Sequence, residues 1–476
     1  MLILTTILIY FCVLMLMGRL TSKKSNNETF YRGERNSPWY VLAFGLVGAS
    51  ISGITFVSVP GMVIKQNMTY LQTCLGFILG YFVVAFVLLP VYYKLNLTTI
   101  YSFLQKRLGN RSYKTGALFF LLSEMTGTAL RFYVVCSILQ RFVFGPVGVP
   151  FVVTVVALVM LIWLYTRRGG IKTLVWTDTF QTFCMMAALL IIIVEVIGKL
   201  DMSVGDAVWA VVADSHSRIF VFDDWVSTQN FFKQFLSGVF IVVVMTGLDQ
   251  HMMQKNLTCK TLRDAQKDMC VGGFFFVPVN LLFLSLGVLL LLLAGKEGLA
   301  VPADSDELLP MFAASGWMGS LVLVLFSIGI VAASFSGTDS ALTAVTTSYC
   351  VDIKERPDDE TLRRRAHFGV CVLFAVFILA FRVINSTSVI DAIYIVLSYT
   401  SGPLLGLFAY GILTKRGVND RLVPYICVAA PVICFAINQI TVSLTGYKFG
   451  YELLMLNGML VFLGMYLTSH RAAKAA

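Results

Sequence analysis

Charge is what this sequence has least of. Asp, Glu, Lys and Arg together make up 13% of its 476 residues, about half the share of an ordinary soluble domain. Histidine is scarcer still: His216, His251, His367 and His470 lie in or near expected loops. No nucleophile–base pair is visible, which argues against a membrane enzyme. The ten cysteines are scattered singly, and none forms a CxxC pair. Neither a disulfide framework nor a zinc site is suggested. The chain lacks a GxxxxGK[ST] loop, so no ATPase is expected within it. No loop is long enough for a separate domain. A membrane sensor would carry a signalling domain after the last span, and this chain stops at Ala476.

What it has instead is apolar length. Hydrophobic residues make up 58%, and the mean hydropathy is +0.81. Apolar runs of roughly 20 residues recur throughout, which predicts an all-α polytopic membrane protein of about 13 transmembrane helices. The expected spans are 2–18, 39–64, 71–92, 115–141, 148–166, 173–198, 230–250, 271–294, 316–349, 366–384, 388–413, 421–441 and 450–468. The first lacks a basic leader and a cleavage site, so it reads as a retained span rather than a signal peptide. The net charge of +10 does not point to nucleic acid, because the cations sit in short loops. The loops at 19–37, 94–114, 167–172, 251–268, 352–365 and 414–421 are basic, and those at 201–224 and 302–308 are acidic. With the basic loops inside, the N-terminus is outside and the C-terminus, with Arg471 and Lys474, is cytoplasmic.

One stretch is apolar enough to span yet badly built as a helix. Phe44–Met62 holds Gly45, Gly48, Gly53 and Gly61, the hydroxyls of Ser50, Ser52, Thr55 and Ser58, and Pro60. Such residues weaken or interrupt a helix. Broken backbone at membrane depth must face protein or a wet cavity, and in transporters such breaks bind ions and substrates. The alternative is a helix with small residues for tight packing.

Charges inside spans are costly and therefore functional candidates. Glu124 and Arg131 are seven residues apart and share a helix face; they either neutralise each other or serve a site. Glu195 lies near the end of its span and is expected to snorkel. Asp249 is expected near a membrane face, in a structural role. Asp178 and Asp339 have no cation beside them in sequence, so a distant Lys or Arg, or a mobile cation, must pair with them. Asp339 lies in AASFSGTDSALT, where Ser336, Asp339, Ser340 and Thr343 form one polar stripe. Such oxygen ligands suit a hard cation such as sodium, and neither Cys nor His is placed there for a softer metal. The competing explanation is hydroxyls bonding back to their own helix.

Several stretches resemble the solute:sodium symporter family. They are ISGITF with PG after it, LGFILGYFVVAFVLLPVYYKLNLTTIYSFLQKRLG at 75–109, RRGGIKTLVWTDTFQ at 167–181, GLDQHMMQKNL at 247–257, SGTDSALTAVTTSYCVDI at 336–353, and YTSGPLLGLFAYGILTKR at 399–416. The resemblance implies a leucine-transporter-type fold with a 5+5 inverted repeat. The first repeat would be 39–198 and the second 230–413, with an extra span and basic loop at 1–38 and two spans and a tail at 414–476. The second unit would break at MTGLDQ, Met245–Gln250.

The resemblance also implies sites. Sodium would be held by carbonyls of Gly48, Ile51 and Ala333 and the hydroxyl of Ser336. Gly337 stands where the family usually has a second hydroxyl. A further sodium site of some members matches Asp178 in VWTD, with Ser336, Asp339 and Ser340 as neighbours. Thr55 occupies the position of a glutamine in the sugar carriers, so a glucose-type site is not expected. The sialic acid carriers look closer: Ser50, Ser52, Thr55, Gln72 and Arg131 match their substrate roles, with Arg131 pairing to the substrate carboxylate. The implied function is sodium-coupled import of an organic anion such as sialic acid. Partners would be Na+, the solute and the lipid bilayer, without nucleic acid. The alternatives are coupling to protons, with Asp178 or Asp339 titrating, and a neutral sugar, amino acid or vitamin as substrate. A channel would conduct without saturation.

Overall fold

A computed structural model describes residues 2–22, 26–225, 227–313, 318–382, 389–447, 449–450 and 452–469. The expected terminal cations Arg471 and Lys474, and His470, fall outside them. Helices form nearly all of the described chain, and the β pairing found there is one isolated bridge between Ser37 and Cys259.

The first half begins with α1 (Leu2–Thr21) and the short α2 (Asn27–Arg32). Then come the broken pair α3 (Trp39–Ser50) and α4 (Gly53–Gln66). Next is α5 (Tyr70–Val83), continued through one π turn into α6 (Leu89–Lys94). The short α7 (Ser102–Arg107) leads to α8 (Asn110–Leu139), α9 (Phe151–Gly169) and α10 (Ile171–Leu200). The second half begins with the short apolar α11 (Val204–Ala213), then α12 (Phe231–Val242) and α13 (Gln250–Asn256). It continues with α14 (Leu262–Glu297), α15 (Leu308–Ala313) and α16 (Ser320–Ser348). The last four helices are α17 (Glu360–Phe381), α18 (Val389–Leu413), α19 (Val423–Thr445) and α20 (Leu453–Leu467). At 30 residues each, α8 and α10 are about 45 Å long, more than the hydrocarbon core of a bilayer.

Each expected span finds a helix near its place, but the breaks change how many qualify alone. Among the described residues, eight helices are long and apolar enough to cross a membrane, or nine if one bent pair counts as a single span. Trp39–Ser50 and Leu453–Leu467 are shorter apolar helices. The polar loop expected at 251–268 is corrected: residues 250–256 are a buried helix, and α14 starts at Leu262. Large apolar side chains such as Phe86, Phe183, Phe274 and Val432 stay exposed, as a surface facing lipid requires.

Glycine sets the closest approaches. A Cβ at Gly76 would lie 2.1 Å from the Phe235 carbonyl oxygen, and one at Gly238 would lie 2.3 Å from that of Thr73, so α5 and α12 touch backbone to backbone. A Cβ at Gly287 would lie 2.0 Å from the Pro60 carbonyl oxygen, which seats the middle of α14 on α4. α10 and α16 pack along each other and frame the first break.

Candidate functional site

The first break is two residues long. Ile51 leaves α3 with extended backbone (φ −95°, ψ 101°), and Ser52, also extended, caps α4 by accepting from the Thr55 N–H at 3.4 Å. The last backbone bond before the break runs from the Ile51 N–H to the Val47 carbonyl (3.0 Å). The first after it runs from the Phe56 N–H to the Ser52 carbonyl (3.2 Å). Among the described residues, no hydrogen bond reaches the carbonyls of Gly48 or Ile51 across the break. The break is clamped from both sides. A Cβ at Gly48 would lie 1.9 Å from Thr182 Oγ1 on α10, and one at Gly53 would lie 2.0 Å from Ser334 Oγ on α16.

The second break solves the same problem differently. The chain bends by 69° between Phe231–Gly247 and Gln250–Asn256. Here the freed carbonyls are taken: the Tyr92 hydroxyl donates to Gly247 O at 2.8 Å, and the Tyr101 hydroxyl donates to Leu248 O at 3.0 Å. Gln250 Oε1 accepts from the Ile100 N–H at 2.9 Å. Asp249 caps α13 by accepting from the His251 N–H at 2.7 Å. Buried carbonyls need partners. The second break finds them in α6 and the segment before α7, whereas among the described residues none is found for Gly48 and Ile51.

Behind the first break lies a buried polar cluster. Ser336 Oγ donates to Asp178 Oδ1 at 3.0 Å, and Lys255 Nζ sits 2.6 Å from Asp178 Oδ2. The Tyr165 hydroxyl donates to Asp339 Oδ2 at 2.6 Å, and Ser340 Oγ donates to Asp339 Oδ1 at 3.1 Å. All of these side chains are buried. The structure thus brings Asp178, Ser336, Asp339 and Ser340 together. It also answers the question left open for Asp178, since a distant lysine does pair with it. Ala333 is buried one turn before Ser336. A Cβ at Gly337 would meet no atom within 4 Å.

In front of the break is a cavity of about 140 Å³, measured at the centres of water-sized spheres. Ser50, Ser52, Thr55, Arg131, Asp249 and His251 are among its lining residues. Ser50 Oγ lies 3.1 Å from the Tyr81 hydroxyl. Among the described residues, no ion pair holds the Arg131 guanidinium, although it acts electrostatically on Glu124 and Asp249.

A family model for the sodium:solute symporter family matches residues 30–421. The chain belongs to the sodium:solute symporter family. It is similar to the sodium/sialic acid symporter SiaT of Proteus mirabilis, 22% identical over 432 residues, 86% of this chain and 84% of that protein. It is 24% identical to the human sodium/iodide cotransporter over 418 residues, 83% of this chain but 62% of that longer protein. A solved structure of a Na+-coupled sialic acid symporter, in a substrate-bound outward-open state, superposes with a TM-score of 0.84. It is 18% identical and covers 99% of both chains. That likeness gives this symporter the fold.

Within the symporter, three sequence expectations need correction. Gln72 does not line the cavity. It is fully buried, with Nε2 donating to Gln229 O (3.0 Å) and Thr69 O (3.3 Å) and Oε1 accepting from the Val221 N–H (3.1 Å). Its amide ties α5 to the segment before α12. Glu124 is not neutralised by Arg131 alone: it sits 3.2 Å from His251 Nδ1 and accepts from Thr128 Oγ1 at 3.0 Å. His251 and His367, expected in or near loops, are buried helix residues. Glu124, Asp249 and His251 bring ligand atoms within 4.8 Å of one another, and Asp249 and His251 line the cavity. Sequence reasoning missed Lys255, His251, Tyr92, Tyr101 and Tyr165. The four-residue spacing of His251 and Lys255 on one helix face was the signal available for two of them.

Proposed function

We propose that this chain imports a small organic carboxylate, such as sialic acid, with sodium. The observation that carries the sodium part is the contrast between the two breaks. Among the described residues, the carbonyls of Gly48 and Ile51 have no hydrogen-bond partner, whereas those of Gly247 and Leu248 do. Sodium would use Gly48 and Ile51 with Ala333 and Ser336 across the interface, and with water or backbone oxygen at Gly337. Ser50, Ser52, Thr55 and Arg131 would bind the solute, with the unpaired guanidinium facing its carboxylate. Bound sodium would fix the break against α16 and complete the pocket. A coupling of about 1–3 kcal/mol between ion and solute suffices for obligatory co-transport. The units 39–198 and 230–413 would be the inverted repeats, and the basic loops would face the cytoplasm. The membrane potential then adds roughly 2.3 kcal/mol per charge per 100 mV.

A second reading has support of its own. Asp249 and His251 at the cavity, with Glu124 behind them, form a group able to carry a proton. Uptake into proteoliposomes separates the readings. The panel is sialic acid, proline, glucose, pantothenate and a short monocarboxylate, with an inward sodium gradient and again with potassium in place of sodium. Saturable uptake of an anion that stops in potassium is the expected result. Uptake unchanged in potassium would sink sodium coupling and leave the proton reading. Uptake of glucose or proline alone would discard the role given to Arg131.

A further inference from the structure

We propose that the Lys255 ammonium is the resident cation of the buried carboxylate cluster, so that Asp178 is satisfied by a side chain and the symporter binds one sodium rather than two. The inference rests on the sodium reading above and adds its stoichiometry.

The argument begins with a count of oxygens. Asp178 offers two, and both are in use: Oδ1 accepts from Ser336 and Oδ2 faces Lys255 Nζ at 2.6 Å. Asp339 offers two, and Tyr165 and Ser340 hold them. Each of these oxygens faces a donor, and at 2.6 Å the Lys255 ammonium already occupies the cation position on Asp178 Oδ2. Lys255 itself is 6% exposed, and Asp178 is the one carboxylate within 4.0 Å of it among the described residues. An ammonium is rarely taken so deep without a charge to neutralise. The charge is there. Asp178 and Asp339 interact with each other and with Lys255. Asp268 on α14 also feels Lys255 and holds the Asn256 amide at 2.6 Å. Asp178 is the carboxylate the ammonium touches, so the lysine supplies its fixed cation. A lysine serves this purpose because its charge is compact and its stem flexible.

The arrangement also joins the ion site to the cavity. Ser336 can donate its proton to Asp178 and still offer lone pairs to sodium. Asp178 then holds Lys255, which lies on α13, the helix that carries His251 to the cavity wall. Sodium bound at Ser336 is thereby linked through three side chains to the second broken helix.

The test is equilibrium binding of ²²Na+ to the purified full chain at alkaline pH, where protons compete least. The wild type is expected to bind one sodium per chain with a Hill coefficient of about 1. K255R keeps a cation in place and is expected to do the same. K255M removes the ammonium but keeps the stem, and it is expected to gain a second sodium and a Hill coefficient above 1. K255M/D178N is expected to return to one. A merely structural lysine predicts weaker binding in K255M, not added binding. Two sodium ions in the wild type, or no gain in a K255M protein that elutes as a folded monodisperse peak, would overturn the proposal. S336A is run alongside. If it keeps full sodium binding, the site at the first break is wrong, whereas the lysine is judged separately by the difference between K255M and K255R.

Discussion

Gly337→Ser would install the hydroxyl that the proposed sodium site lacks. The position is open, because a Cβ there meets no atom within 4 Å. No steric cost is therefore expected, unlike at Gly48 or Gly53, where the neighbouring hydroxyl is about 2 Å away. Replacing a helix-interior glycine should itself stabilise α16 by a few tenths of a kcal/mol up to about 0.5. The hydroxyl adds a charge-assisted contact of about 1.5 kcal/mol. Part of that is offset by the water it displaces and the rotamer it fixes, leaving roughly 0.7–1.4 kcal/mol. At about 1.4 kcal/mol per tenfold, the sodium concentration for half-maximal uptake should fall roughly three- to tenfold. The assay is initial uptake at fixed solute across a sodium series, with the melting temperature followed in parallel with and without sodium. The variant should melt no lower than wild type without sodium and show the larger rise when sodium is added. If sodium dependence is unchanged or weaker in a protein of undiminished stability, Gly337 does not face the ion and the site is misplaced.

Three other substitutions sort binding from structure. Arg131→Ala should abolish anion uptake, and Arg131→Lys should recover little of it, because an ammonium cannot form the two-pronged contact; full uptake in Arg131→Ala would end the carboxylate argument. Gln72→Ala should lower stability by about 1–3 kcal/mol, since it strands the buried Val221 N–H. Its KM for the solute should not move, and a raised KM with normal melting would put Gln72 back in the pocket. Gly48→Ala should destabilise by about 1–3 kcal/mol through the clash with Thr182. Adding Thr182→Ala should recover only part of that loss in a double-mutant cycle on melting temperature, because the Cβ at 182 would still lie 2.8 Å away.

The fold was legible because its signals are long. Apolar runs of about 20 residues announce spans, and the first break announced itself by glycine and hydroxyl density, whereas the second, at MTGLDQ, was implied only by the family resemblance. The carboxylates were legible because charge in an apolar run is rare, and Asp178, Asp339 and Ser336 do meet. What could not be read was pairing between segments far apart in the chain. Lys255 looked like loop charge because its neighbours are polar, yet tertiary contact with Asp178, 77 positions earlier, buries it. Gln72 failed for a related reason. An amide in a span fits a solute or a loop equally well, and only the position of Val221 and Gln229 decides. His251 belongs to a seven-residue helix, about two turns, whose inward face depends on the 69° bend, which no periodicity reports.

The tyrosine caps on the second break have a mechanical consequence. Tyr92 and Tyr101 hold Gly247 and Leu248, and Gln250 holds Ile100, so the stretch from α6 to α7 travels with that bend as one rigid lever. A covalent strap between positions 101 and 248 should therefore leave the transport cycle running, whereas a strap from position 48 to position 182 should stall it.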